Sequence, residues 1–319
     1  MKPYERILLI ARPDLQRSPA LRQAAVLARA TGAALHIAVF DHSATLDLVA
    51  RLRAEDQRGL RDTFLRQRRD WLAGQAADLR ADGIEVTTEA VWSRHALDEI
   101  LAHVVESGAA LVVKDVEMRS GLRRVLMHAL DWQLLRECPV PLLLVHSEQI
   151  TPRRVIVAAD ALRGADDALN NKLFDHALGL AYATQARLHL AYAFALPAAA
   201  AADPAVMVTQ ELYETLRETH LDAFTALADA HGVPPERRHF LGGPPAAALA
   251  RFARQCDADL LVLGAAQHSG LERLLFGSTA AAVLDELSCS VLVIKPDATE
   301  RALRDAIAAR RAAAMREAA

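Results

Sequence analysis

A repeat with a period of about 150 residues constrains this chain more than any single motif in it. Arg-Ile-Leu-Leu-Ile at Arg6 to Ile10 answers Arg-Val-Ile-Val-Ala at Arg154 to Ala158. Ala-Thr-Gly-Ala-Ala-Leu-His-Ile-Ala at Ala30 to Ala38 answers Ala-Thr-Gln-Ala-Arg-Leu-His-Leu-Ala at Ala183 to Ala191, and Ser120 to Leu126 answers Ser269 to Leu275. That period is too long for a solenoid and suits a globular domain. The chain therefore reads as a duplicated domain: residues 1–149, residues 150–297, and a helical tail over 298–319 rich in Ala, Arg and Glu.

Each half alternates strands and helices. In the first, strands are predicted at Ile7–Ala11, Ala34–Phe40, Ile84–Trp92, Ala110–Val113 and Leu142–Val145. Helices are predicted at Ser18–Ala30, Leu60–Ala81, Ala96–Ser107 and Val125–Arg136. The second half repeats this order through Arg237–Leu241, Ala246–Cys256, Leu260–Leu263 and Ser290–Ile294. Five strands with intervening helices argue for an α/β fold, a doubly wound five-stranded parallel sheet in each half. The run Arg51 to Arg69 interleaves Arg with Glu55, Asp56 and Asp62 and reads as a solvated helix face with local ion pairs rather than a nucleic-acid patch. Leu196 to Pro204 reads as a long loop or a lid.

Charge excludes two classes of partner. With 37 basic and 40 acidic residues the net charge is −3, which gives no footprint for nucleic acid or a membrane surface. Ile7 to Ile10 is too short for a signal peptide and no apolar run approaches a membrane span, so a cytoplasmic protein is expected. Cys138, Cys256 and Cys289 lack metal-type spacing and read as plain thiols of a reducing compartment.

The chemistry concentrates between Asp259 and Pro296. There an apolar strand ends at Gly264, and Gly277, Ser278 and Thr279 fall where a long helix is predicted to begin before the strand that precedes Pro296. The loop after such a strand lies at the carboxyl edge of the sheet, where α/β proteins bind ligands. Unpaired amides at a helix start favour phosphate, and Ser278 or Thr279 offers either a hydroxyl donor to it or a simple N-cap.

The spacing of Gly264, two residues, Gln267, nine residues, Gly277-Ser278 resembles the nucleotide loop of the universal stress protein family: Gly, two residues, Gly, nine residues, Gly-Ser/Thr. The flanks Asp-Leu-Leu-Val-Leu-Gly and Val-Leu-Val-Ile-Lys-Pro resemble it too. The likeness runs from Tyr4 to Pro296 in the tandem, E-type arrangement, with Asp131 to Pro139 as its most specific stretch. Gln267 departs from the pattern. A side chain there takes up space beside the phosphates and disfavours positive φ, although its amide can replace lost contacts.

The resemblance implies a ligand set in the second half. Phosphate would meet Gly264, Gln267, Gly277, Ser278 and Thr279, and adenine would meet the backbone of Ala193 at the end of the second strand. Asp160, at the end of the first strand, would accept from adenine or ribose, or would close an Asx turn. In the first half the loop positions are Asp115, Met118, His128 and Ala129, and Arg12 answers Asp160, so no phosphate pocket is expected there. The ligand implied is ATP or AMP, with Mg²⁺ accompanying ATP. The family also implies pairing of the two domains through Leu142–Val145 and Val291–Ile294 in a pseudo-two-fold arrangement, which a monomer or a homodimer of tandems would satisfy.

Other residues divide more simply. His36 and His189 are matched strand positions and read as core or rim histidines. His128 and His268 lie at loop mouths, open to a metal, a phosphate or solvent. No two histidines have the spacing of a metal-binding helix or turn, so no metal site is expected. There is no Ser-His-Asp pattern, no P-loop and no HExxH, and no catalytic residue is assigned. Three functions follow: a nucleotide-sensing stress-response regulator acting on a protein partner, a nucleotide-independent scaffold, and a weak Mg²⁺-dependent ATPase.

Overall fold

Strand β1 (Arg6–Ile10) shows how each half is built: Ile7, Leu8 and Leu9 are all 0% exposed, so both faces of the strand are covered. Consecutive apolar residues in a short run suit a parallel sheet sandwiched between helices. The computed structural model describes residues 4–53, 57–116, 129–146, 149, 151–196, 209–265 and 289–317.

The first half contains β1, α1 (Pro19–Thr31), β2 (Ala34–Asp41), α2 (Ala44–Arg53), α3 (Gln57–Ala81), β3 (Val86–Trp92), α4 (Ala96–Glu106), β4 (Leu111–Asp115), α5 (Ala129–Glu137) and β5 (Leu142–Val145). Its strands run in the order β3-β2-β1-β4-β5, all parallel, with Ile7 opposite both Leu35 and Leu111. The second half contains β6 (Arg154–Ala158), α6 (Ala168–Thr184), β7 (Arg187–Phe194), α7 (Gln210–Ala230), β8 (Arg238–Gly242), α8 (Pro245–Gln255), β9 (Leu260–Gly264) and β10 (Ser290–Ile294). Its order, β8-β7-β6-β9-β10, repeats the first, again with every described pair parallel. The expected pair of doubly wound five-stranded sheets is what the chain forms.

The first helix of each half starts and stops for local reasons. Ser18 caps α1 by accepting from the Leu21 amide at 3.2 Å, and Pro19 takes the first turn, where its missing N–H costs nothing. Gly32 ends the helix at φ +68°, and the matched residue after α6, Gln185, adopts the same left-handed conformation at φ 56°. The two helices end at matched positions but begin differently. Helix α6 has 17 residues against 13 in α1, so it starts about one turn earlier.

One local reading is corrected. The stretch from Arg51 to Arg69 spans two helices, with α2 ending at Arg53 and α3 starting at Gln57, well before Leu60. Ser43 accepts from the Leu46 amide at 3.3 Å to start α2, and Asp47 in its first turn is buried against Arg61 and Arg94. A polar first turn held by distant arginines has little apolar periodicity to announce it.

The described residues divide into two units, one holding β1 to β5 and the other β6 to β10. A last helix, α9 (Asp297–Glu317), follows β10 in sequence but belongs to the first unit. It buries Ile307, donates from Arg304 to the Pro139 carbonyl at 3.4 Å, and pairs Arg310 with Glu137 and Arg311 with Glu99. Among the described residues no helix is long and apolar enough to cross a membrane. Residues 197–208, most of the expected loop or lid, lie outside the described residues.

Candidate functional site

The order β7-β6-β9 places a switch in chain direction at β6, because the chain leaves it towards β7 on one side and returns as β9 on the other. Ligands of open α/β sheets bind outside the carboxyl ends of strands at such a switch. Ala158 of β6 is level with Ala191 and with Leu263. Asp160, Ala193 and Gly264 therefore follow that row by one or two residues at one edge of three adjacent strands. With strands about 4.8 Å apart, the three span roughly 10 Å.

Asp160 closes a turn in the structure. Its carboxylate accepts from the Leu162 amide at 3.2 Å, opening the short 3-10 turn Ala161–Arg163, and lies 3.5 Å from the Arg163 guanidinium. Its side chain is still 54% exposed. Asn170, which nothing in the sequence singled out, holds this loop from beneath. Its side-chain oxygen accepts from the Asp160 amide at 3.2 Å, and its Nδ2 donates to the carbonyls of Asp160 at 2.9 Å and Gly164 at 3.1 Å.

Ala193 is half-buried, and its backbone pairs with Leu241 of β8. The residues on either side of it point to the opposite face and join an aromatic cluster with α7. Tyr192 Oη lies 2.6 Å from His220 Nδ1, and Phe194 packs on Tyr213, His220 and Phe240. Burial, and after it the charge of Asp160, pushes the Tyr192 hydroxyl up to about 12. Tyr213, Arg217, His220 and Phe224 recur at helical spacing along α7, a signal that could have revealed the cluster.

Gly264 has a packing reason to be glycine. A Cβ there would meet Leu169 Cδ2 at 3.0 Å and Leu173 Cδ1 at 3.4 Å. Leu169 belongs to the extra first turn of α6, so the longer helix and the glycine go together. Beyond Gly264 the Ala265 amide donates to the Ile294 carbonyl at 2.8 Å. Beside it Lys172 reaches the carbonyl of Lys295 at 3.0 Å, which puts an ammonium at the β9–β10 end of the edge. Gln267, Gly277, Ser278 and Thr279 lie outside the described residues, as do Met118, His128 and His268.

The first half differs at the same place. Asp115, the counterpart of Gly264, is 3% exposed and accepts from the Ala20 amide at 2.9 Å, inside the first turn of α1. No phosphate pocket was expected here, and the structure adds that this carboxylate occupies the helix N-terminus itself. Burial pushes Asp115 up from the usual carboxylate range, against the Ser18 hydroxyl and the Ala20 amide, which favour its charged form. Neighbouring Lys114 is turned inward to Asp131, at 2.8 Å with both side chains buried. In the second half Asp167 likewise takes the Leu169 and Asn170 amides at the start of α6, at 3.0 and 2.9 Å. At both helix starts these amides are taken by carboxylates of the chain itself.

Comparison with known proteins agrees with this architecture. Residues 3–146 and 151–295 each match the Universal stress protein family. The chain is 27% identical over 302 residues to Universal stress protein E of Escherichia coli strain K12, across 93% of this chain and 96% of that one. It is 26% identical over 306 residues to the protein of the same name from Photorhabdus laumondii, across 94% and 98% of the two chains. A crystal structure of a functionally unknown protein from Pseudomonas aeruginosa PAO1 is 26% identical and superposes with a TM-score of 0.75, covering 96% of this chain and 97% of that one. The chain belongs to the universal stress protein family and carries its domain twice in tandem.

Proposed function

We propose that this protein is a cytoplasmic, ligand-sensing member of its family whose second domain binds an adenine nucleotide, ATP or AMP. The observation that carries the reading is the asymmetry between the two equivalent strand ends. In the first domain a buried carboxylate, Asp115, fills the position, whereas in the second Gly264 leaves it without a side chain and Lys172 brings a cation beside it. Phosphate would then be met by Gly264, Gln267, Gly277, Ser278 and Thr279, ribose or adenine by Asp160, and adenine by the backbone of Ala193. Mg²⁺ enters only with ATP, as the counter-ion of its phosphates.

The mechanism is differential binding. Nucleotide that orders the segment after β9 in one arrangement favours whichever partner surface that arrangement presents. The two matched domains are compatible with pairing within one chain. A second reading, a nucleotide-independent scaffold, is favoured by the Leu169 packing, which accounts for Gly264 without any phosphate.

Calorimetric titration with ATP and AMP, with and without Mg²⁺, separates the two readings. Saturable binding that is lost in Gly277→Asp and weakened in Asp160→Ala supports the sensor. Absence of saturable binding by either nucleotide sinks it in favour of the scaffold.

A further inference from the structure

A second group of chemically active side chains sits on the first domain, in mid-strand and away from the carboxyl edge. His36 comes from β2, Glu89 from β3 and His103 from α4. One nitrogen of each imidazole and one Glu89 oxygen all lie within 4.8 Å of one another. We propose that His36, Glu89 and His103 form a Zn²⁺ site that ties α4 to the β2–β3 edge, with water as the fourth ligand.

The donor set suits the ion. Two neutral imidazoles and a carboxylate are ordinary zinc ligands, and three protein ligands plus water complete a tetrahedron. Zinc–ligand bonds of about 2.0–2.1 Å place neighbouring donors about 3.3 Å apart. His103 Nε2 and Glu89 Oε2 are already 3.0 Å apart, and the two imidazoles stack at 5.9 Å with 18° between their planes. Glu89 is 53% exposed, so its torsions can bring the carboxylate into the remaining gap without disturbing the core.

The surroundings orient the ligands. His36 Nδ1 lies 2.8 Å from Thr87 Oγ1. A Thr hydroxyl accepting from Nδ1–H fixes the tautomer whose Nε2 lone pair is the ligand, which is the usual role of a second partner behind a metal-bound histidine. His103 Nδ1 is buried with no hydrogen-bond partner, so hydrogen bonding alone does not account for this imidazole. The nearby Arg6 guanidinium is engaged elsewhere, donating to the Ser107 carbonyl at 2.6 Å.

The repeat supplies an internal comparison. His189 matches His36, and His239 holds the register of Glu89, since Ala191 faces His239 as Ala38 faces Glu89. Helix α8 presents Phe252 where α4 has His103, with its ring 4.3 Å from that of His239. The second domain thus satisfies the same packing with an aromatic ring and no carboxylate. Fold alone does not require two imidazoles and an acid at this position, and only the first domain gathers them.

The test uses untagged full-length protein stripped of metal by chelation and titrated with Zn²⁺ by calorimetry, with Co²⁺ absorption reporting coordination geometry. One Zn²⁺ per chain is expected at micromolar or tighter Kd, with a tetrahedral Co²⁺ spectrum. Glu89→Gln and His103→Phe should each weaken binding tenfold or more, while His239→Phe leaves it unchanged. His103→Phe copies the residue that the second domain tolerates, and Glu89→Gln alters an exposed side chain, so each keeps the test open if the other misfolds. No saturable binding by the wild type, or equal affinity in folded Glu89→Gln or His103→Phe protein, overturns the site. Loss of binding in His239→Phe alone overturns it as well.

Discussion

Asn170→Ala should destabilise the second domain by about 2–3 kcal/mol, because one side chain that is 1% exposed carries three hydrogen bonds to the loop bearing Asp160. A net hydrogen bond contributes about 0.5–1.5 kcal/mol, so three bracket roughly 1.5–4.5 kcal/mol. Asp160 itself is partly exposed, and water can satisfy some of what the variant strips away, which places the value in the lower half of that range. Trp71, Trp92 and Trp132 all lie in the first domain, so tryptophan fluorescence does not report this loss. Amide hydrogen exchange of β6 and α6 does, and protection there should fall while β1 and α1 keep theirs. The loosened turn should also weaken nucleotide binding through Asp160. A loss below about 0.5 kcal/mol, or one shared equally by the first domain, would refute the reasoning that Asn170 holds this loop.

The other predictions concern backbone strain and two buried titrations. Gln185→Gly should stabilise the second domain by about 0.5–1 kcal/mol, since the left-handed cost of about 1–2 kcal/mol exceeds the extra unfolded-state freedom of glycine; exchange protection in α6 reads the gain, and a loss contradicts it. Asp115→Asn should stabilise the first domain at pH 7, as read by tryptophan fluorescence in urea. Burial raises the folded pKa of Asp115, so its favourable contribution is full below the ordinary value of about 3.9 and is lost as pH rises through the raised one. The variant and wild type should therefore converge below about pH 4, and a less stable variant at pH 7 would show that the α1 amides outweigh burial. Burial, the largest cause at both residues, lowers the pKa of His189 and His239, whose rings meet at 3.0 Å between Nδ1 and Nε2. Their contribution is present above the ordinary value of about 6.5 and is lost as pH falls through the depressed values. Acidification should thus lower exchange protection in β7 and β8, less so in His239→Phe; an unchanged slope contradicts this.

The repeat made the fold legible, because strands such as Ile7 to Ile10 are short apolar runs buried on both faces and recur at matched positions. Helix α2 was not legible, since its polar first turn depends on Arg61 and Arg94 from distant segments. At the site the glycine at 264 was visible but its physical reason was not. Leu169, which excludes a side chain there, belongs to a helical turn that has no counterpart in α1. Asn170 and Lys172 looked like ordinary polar positions of a helix start, and only the fold brings them beneath Asp160 and beside Lys295. That the first half lacks a phosphate pocket was legible, whereas the hydrogen bond of Asp115 to Ala20 needed coordinates. The His36, Glu89 and His103 group draws on three separate elements, so no local spacing in the sequence can announce it.

The central claim is that one domain of the two binds nucleotide, and the most direct test is its stoichiometry. Gently purified full-length protein should be analysed by native mass spectrometry, released small molecules identified, and the protein then titrated to saturation with ATP or AMP. One adenine nucleotide per chain, abolished by Gly277→Asp and untouched by Asp115→Asn, is the result expected from a buried carboxylate in one domain and a glycine in the other. Two nucleotides per chain, or none at saturating concentration, would contradict it.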